Sequence, residues 1–372
     1  MSIHLKRHCT IILKSQLYYD KIIQNGVVYL NKQIFNNPFE KFDFKKYRDK
    51  QYLKSESNGL GFYIFSYTMT MTISAFAIML IMSLIMPNND DWTNTTSIPM
   101  FLMQIFCAVI ASFIPGLFYF LISKKRIADT ILVKPIKASY LIPIVFMGMA
   151  VAMVANIAAD IVNNNFGIFN LKNTVSMDSS SQSVTSNILY IISTALVPAF
   201  SEEFAFRGIV MGSLRKYGDA FAIITSAVMF GLMHGNIVQI PFAFILGLIF
   251  GYAACKTNSI VPAIIIHFIN NFYAVILDIL QSSEILNERD FHAVYYLIIA
   301  AFCLFGVISF IYLLKKDRSF FRISDKPSPY FNSDFRLSLK EKNTAFFLSA
   351  GVLSSIVFFL FEIIISLGVI NG

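Results

Sequence analysis

The chain has 372 residues, of which 56% are hydrophobic and only 14% charged, and its mean hydropathy is +0.63. Soluble domains carry roughly 25% charged residues, so the composition excludes a soluble enzyme, a disordered scaffold and a secreted disulfide domain, and leaves a polytopic membrane protein. The net charge of +8 does not point to nucleic acid. Eleven Lys/Arg against five Asp/Glu fall in the first sixty residues, and no recognition motif accompanies them.

In chain order, residues 1–60 read as a cytosolic basic segment meeting anionic lipid. Residues 61–315 read as the membrane core, 316–343 as a cytosolic linker and 344–372 as a C-terminal membrane helix. A crossing helix needs about 20 apolar residues. Charge-poor runs occur at Gly61–Pro87, Pro99–Ser123, Ala138–Ile161, Ile188–Tyr217, Ala220–His234, Val238–Cys255, Ile260–Leu280, His292–Leu314 and Thr344–Leu367. The fold expectation is therefore an all-α bundle of about nine transmembrane helices, an eight-helix core plus a last helix. The uncharged stretch Ala220–Cys255 would exceed 50 Å as one helix at about 1.5 Å per residue, so a turn is expected at Gly235–Asn236. Lys/Arg-rich flanks at 124–137, 215–216, 256 and 315–342 place the N-terminus in the cytosol and, with nine crossings, the C-terminus outside. Cys9, Cys107, Cys255 and Cys303 are scattered and give neither a disulfide framework nor a metal-site spacing.

An ionisable residue at membrane depth costs several kcal/mol unless it is paired or hydrated, so each is a functional candidate. The fourth span carries Glu202, Glu203 and Arg207, the fifth ends on His234, and the seventh carries His267 and Asn271. Residues four apart share a helix face, so Glu203 and Arg207 form an expected intrahelical ion pair, structural in purpose. Glu202, rotated about 100° away, lacks that partner. His267 and Asn271 share a face and can direct two hydrogen bonds at one oxygen. A buried carboxylate with an imidazole can take a proton from water, and a second imidazole with an amide can stabilise an oxyanion. The same two histidines and glutamate also suit a catalytic zinc, and the residues alone leave both schemes open, although the compact HExxH spacing is absent. Asp160, Asp278 and Glu362 complete the list of intramembrane acids. Asp160 and Asp278 read as interfacial, and Glu362 has no evident role beyond a contact with the core.

The motifs EExxxR at Glu202–Arg207, FxxxH at Phe230–His234 and HxxxN at His267–Asn271, ordered on successive spans, resemble those of the CAAX-protease and bacteriocin-processing family of intramembrane endopeptidases. The resemblance covers about 188–281. It implies that Glu202 and His234 activate the attacking water, that His267 and Asn271 form the oxyanion site, and that Glu203 and Arg207 support the first motif. It implies a metal-free glutamate scheme, with a zinc bound by Glu202, His234 and His267 as the alternative. The expected substrate is a membrane-associated peptide or protein in a lipid bilayer. Two other functions compete: a non-catalytic membrane regulator or immunity protein of the same fold, and a proton-coupled transporter using Glu202, His234 and Asp278. Counted along straight helices, His267 lies roughly 12 Å deep and His234 roughly 20 Å, so convergence of the site requires tilt or a short fifth helix.

Overall fold

The computed structural model describes residues 44–85, 97–164, 171–173, 183–283, 285–324, 335 and 337–369. Residues 1–43 of the basic segment, residues 165–170 and 174–182, and residues 325–334 and 336 of the linker lie outside them, as does the side chain of Asp160. Ten helices organise the described chain. They are α1 (Phe44–Ile85), α2 (Ile98–Ser123), α3 (Ala138–Asn164), α4 (Val184–Tyr217), α5 (Asp219–Met233), α6 (Gln239–Thr257), α7 (Val261–Ser282), α8 (Glu288–Lys316), α9 (Leu339–Phe347) and α10 (Ala350–Ser366). Two three-residue strands, β1 (Leu171–Asn173) and β2 (Leu367–Val369), pair antiparallel. The all-α membrane bundle expected from composition is what forms.

Fewer than nine helices among the described residues have the length and apolarity of a crossing. Among the described residues seven helices are long and apolar enough to span a bilayer, or eight if α9 and α10, bent by 68°, count as one span. The difference lies mainly in α5. Its fifteen residues give about 22 Å at 1.5 Å per residue, short of the ~30 Å hydrocarbon core. The expected boundary at residue 60 also falls inside a continuous helix, because α1 starts at Phe44 and runs for 42 residues.

The turn after α5 is built by its own sequence. His234 caps the helix, and Gly235 takes φ +59°, a left-handed conformation that glycine adopts without a Cβ penalty. The buried Asn236 carboxamide oxygen then accepts from the Val238 and Gln239 amides at 2.9 and 3.4 Å, capping the start of α6. The chain therefore reverses at Gly235–Asn236, and α5 and α6 pack as an antiparallel hairpin. α6 lies against α3 and α7, α7 against α4, and α8 along α3.

Charged groups gather at one end of this bundle. Glu56 on α1 accepts from Lys125, beyond the end of α2, and from Lys216 on α4 at 3.0 Å, while Tyr119 and Ser213 complete the cluster. Nearby backbone bonds join the 132–134 segment to the α6–α7 turn, Ile260 donating to Leu132 and Lys134 to Asn258.

The last helix is docked on the first. Gly61 and Gly351 meet where α1 crosses α10, so closely that a Cβ on either would run into the other helix's backbone. The Gly351 amide donates to Asn58 at 2.7 Å and the Ser355 hydroxyl to the Gly61 carbonyl at 2.8 Å. Small residues let membrane helices approach this closely, and the gain is in packing and interhelical hydrogen bonds.

Candidate active site

The carboxylates of the first motif sit on a helix with two irregular stretches. α4 runs as α-helix to Ile191, as π-helix over Ile192–Leu196, as α-helix over Val197–Glu203 and again as π-helix over Phe204–Met211. π turns insert a residue into the ladder and recur at functional sites. Here they bracket the segment that carries Glu202 and Glu203.

The expected ion pair forms. Arg207 Nη1 donates to Glu203 Oε1 at 2.8 Å, with both side chains wholly buried. The pair also has a partner that linear spacing does not reveal. His267 Nδ1, from α7, lies 3.0 Å from the same Glu203 oxygen. A carboxylate only accepts, so the bond assigns the hydrogen to Nδ1. Glu203 thus joins α4 to α7 and fixes the plane of the His267 ring.

Aromatic rings close over the charges. The Arg207 guanidinium stands 4.2 Å from the Phe230 ring centroid and 5.0 Å from that of Phe250. Phe250 stacks on His267 with centroids 5.0 Å apart and planes 19° apart, and Phe230 meets His267 edge-on. Desolvated cation–π contacts of this kind are worth about 2 kcal/mol each, and they partly offset the burial of a guanidinium that has only one carboxylate hydrogen bond.

Glu202 is held differently. Its side chain keeps 18% exposure, and its Oε2 lies 3.9 Å from His267 Nε2, beyond direct hydrogen-bond reach. Tyr67 of α1 and His234 are among the groups that feel its charge. His234 is half-buried at the end of α5, with Nδ1 2.8 Å from the Phe230 carbonyl. A carbonyl cannot donate, so Nδ1 carries the hydrogen and the Nε2 lone pair is left for another proton.

Asn271 lies one turn beyond His267 and donates its amide nitrogen to the Thr194 carbonyl at 3.1 Å. Thr194 belongs to the first π stretch of α4. The neighbouring Asn270 donates to Asn271 Oδ1 at 3.1 Å, and Asn156 of α3 donates to Asn270 Oδ1 at 3.2 Å. Sequence reading passed over Asn156 and Asn270. A second carboxamide beside the third motif was the one available signal.

The structure therefore gathers Glu202, Glu203, Arg207, His234 and His267 around one contact network, with Asn271 on the same face of α7. α5 is short and ends at His234. Asp278 lies further along α7 with one carboxylate oxygen buried. Glu362 of α10 rests against Gly235, its Cβ 3.1 Å from where a Cβ on that glycine would stand. No group of three or more His, Cys, Asp and Glu among the described residues is arranged to hold a metal ion.

Comparison with known proteins points to the same segment. Residues 184–273 match the family model described as type II CAAX prenyl endopeptidase Rce1-like. A stretch of 151 residues, 38% of this chain and 60% of the relative, is 26% identical to the membrane-embedded CAAX protease MroQ of Staphylococcus aureus (strain USA300). Another of 103 residues, 27% of this chain and 42% of the relative, is 28% identical to "Putative membrane peptidase YdiL" of Bacillus subtilis (strain 168). The chain thus spans less than two thirds of the length of either curated relative, and no solved structure matches it. The resemblance carried by the three motifs is borne out: residues 184–273 match a CAAX-endopeptidase family model, within a multi-pass membrane protein.

Proposed function

We propose that the chain is an intramembrane endopeptidase that hydrolyses a peptide bond of a membrane-associated peptide or protein. The observation that carries the reading is the Glu203 bridge. One buried carboxylate oxygen holds both Arg207 and His267, which leaves Glu202, partly exposed beside His267 Nε2, as the carboxylate able to do chemistry.

In this reading Glu202 and the Nε2 lone pair of His234 take a proton from a water, and the hydroxide adds to the scissile carbonyl. The oxyanion is met by His267 Nε2–H and by the second N–H of Asn271. Since His267 Nδ1–H is already given to Glu203, the oxyanion role needs hydrogen on both ring nitrogens. The charges then balance, two carboxylates against one guanidinium and one imidazolium, as a site in low dielectric requires. Collapse of the tetrahedral intermediate passes the proton held by Glu202 to the leaving amine. An oxyanion donor of this kind is typically worth about 3–4 kcal/mol of barrier. The chain's own residues supply each of these steps, and the scheme is metal-free.

We further place the basic end of the bundle, with Lys125, Lys216 and Lys256, in the cytosol by Lys/Arg bias. The test is a comparison of membrane peptides from cells carrying the wild-type chain, Glu202→Gln or His234→Ala. A new terminus absent from both variants, and reproduced by the purified chain in the presence of a chelator, is the expected result. Identical peptide profiles would overturn the reading in favour of a non-catalytic regulator.

A further inference from the structure

Resting on the endopeptidase reading, we infer that Asn156 and Asn270 form a one-way hydrogen-bond relay that fixes the orientation of the Asn271 carboxamide toward the oxyanion, with Asn156 acting as a positioning residue from a helix that carries none of the three motifs.

The direction of the relay follows from its last member. Asn271 has two chemically different ends, and which faces which is decided by its partners. The Thr194 carbonyl can only accept, so Asn271 must turn its nitrogen to it, at 3.1 Å. Its oxygen therefore faces Asn270, which must donate, at 3.1 Å. The Asn270 oxygen then faces Asn156, which must donate in turn, at 3.2 Å. Reversing any one amide sets two acceptors or two donors against each other. Because Asn270 is buried, such a mismatch has no bulk water to relieve it.

The outcome at the site is specific. One N–H of Asn271 is spent on Thr194. The other has no partner among the described residues, and the polarity of the relay holds it on the face that His267 shares. A flipped Asn271 would present its carbonyl oxygen instead and repel an oxyanion. The two-donor site thus depends on α3 through Asn156 and on the π stretch of α4 through Thr194.

Two arms test this on the full chain purified in detergent. The first needs no substrate. Asn156→Asp keeps the shape of the side chain but, once ionised, offers only acceptors to Asn270 Oδ1. Melting is compared between pH 5 and 8 for the wild type, Asn156→Asp, Asn270→Ala and the double variant. The wild-type profile, measured because Glu202, Glu203, Arg207, His234 and His267 lie in the same site, serves as the baseline. A locked relay predicts that ionisation destabilises Asn156→Asp more beside Asn270 than beside the alanine. If Asn270 can turn freely, its amide solvates the new carboxylate, the coupling takes the opposite sign, and the relay is overturned.

The second arm uses the peptide that the wild-type chain cleaves. Asn156→Leu should lower kcat by about ten- to a hundredfold, as displaced donors do, with KM within twofold. Asn156→Asp should retain more activity at pH 5 than at pH 8, relative to the wild type, because the protonated carboxyl can still donate. An unchanged kcat, or a loss confined to KM, overturns the positioning role. If the wild type cleaves nothing, the protease reading fails by itself, and the melting arm still decides the relay.

Discussion

Replacing Glu203 by glutamine removes a negative charge from a place that no water reaches. The carboxylate and the Arg207 guanidinium are wholly buried and 2.8 Å apart, and the same oxygen holds His267 at 3.0 Å. Removing one partner of a buried ion pair typically costs about 3–5 kcal/mol, mostly because the surviving charge stays desolvated and uncompensated. Glutamine can still accept one hydrogen bond, so Glu203→Gln is expected at the lower end, about 3 kcal/mol, with Glu203→Ala above it. The same physics predicts that Glu203→Leu combined with Arg207→Met recovers most of the loss, since removing both charges removes the desolvation cost. Reversible unfolding in mixed micelles, followed by titration with a denaturing detergent, measures all four chains. All three variants should be inactive, because His267 loses its anchor. A single variant within about 1 kcal/mol of the wild type, or a double variant as unstable as the worse single one, would refute the argument that the pair is one buried electrostatic unit.

Three further predictions follow from the surroundings of the site. Phe250→Ala should cost about 3–5 kcal/mol in the same unfolding assay, because a fully buried ring stacked on His267 and facing Arg207 is removed. A cost below 1 kcal/mol would show that the stack does not hold. Gly235→Ala places a Cβ on a residue at φ +59° and against Glu362. It should destabilise by about 1–2 kcal/mol and lower kcat more than it raises KM, because His234 immediately precedes the turn. Gly351→Val should detach α10 from α1 at their crossing, read as new protease sensitivity in the last helix. Unchanged proteolysis would contradict the docking.

Much of this was readable from residue spacing. Glu203 and Arg207 stand four apart on one helix, and their pairing follows from helix geometry alone. The turn at Gly235–Asn236 follows from the length of an uncharged run that no single helix can fill. Other features depend on where different helices come to lie. The Glu203–His267 bond and the Phe250 stack need the relative depth of α4, α6 and α7, and the π stretches of α4 alter that depth without a plain sequence signature. The run Ala220–His234 already had the length of α5, but hydropathy does not distinguish a helix that crosses from one that stops at the site. Asn156 was invisible for a related reason, since a single polar residue on α3 acquires meaning only beside Asn270. Glu362, which had no account in the sequence, rests against Gly235, the residue after His234.

The most direct test of the central claim separates the two adjacent glutamates. Glu202 is partly exposed and accepts no direct hydrogen bond from His267, so Glu202→Gln should leave unfolding within about 1 kcal/mol of the wild type while abolishing cleavage of the peptide the wild-type chain cuts. Glu203→Gln should lose both stability and cleavage. A Glu202→Gln chain that still cleaves at the wild-type rate would contradict the assignment of the water-activating carboxylate.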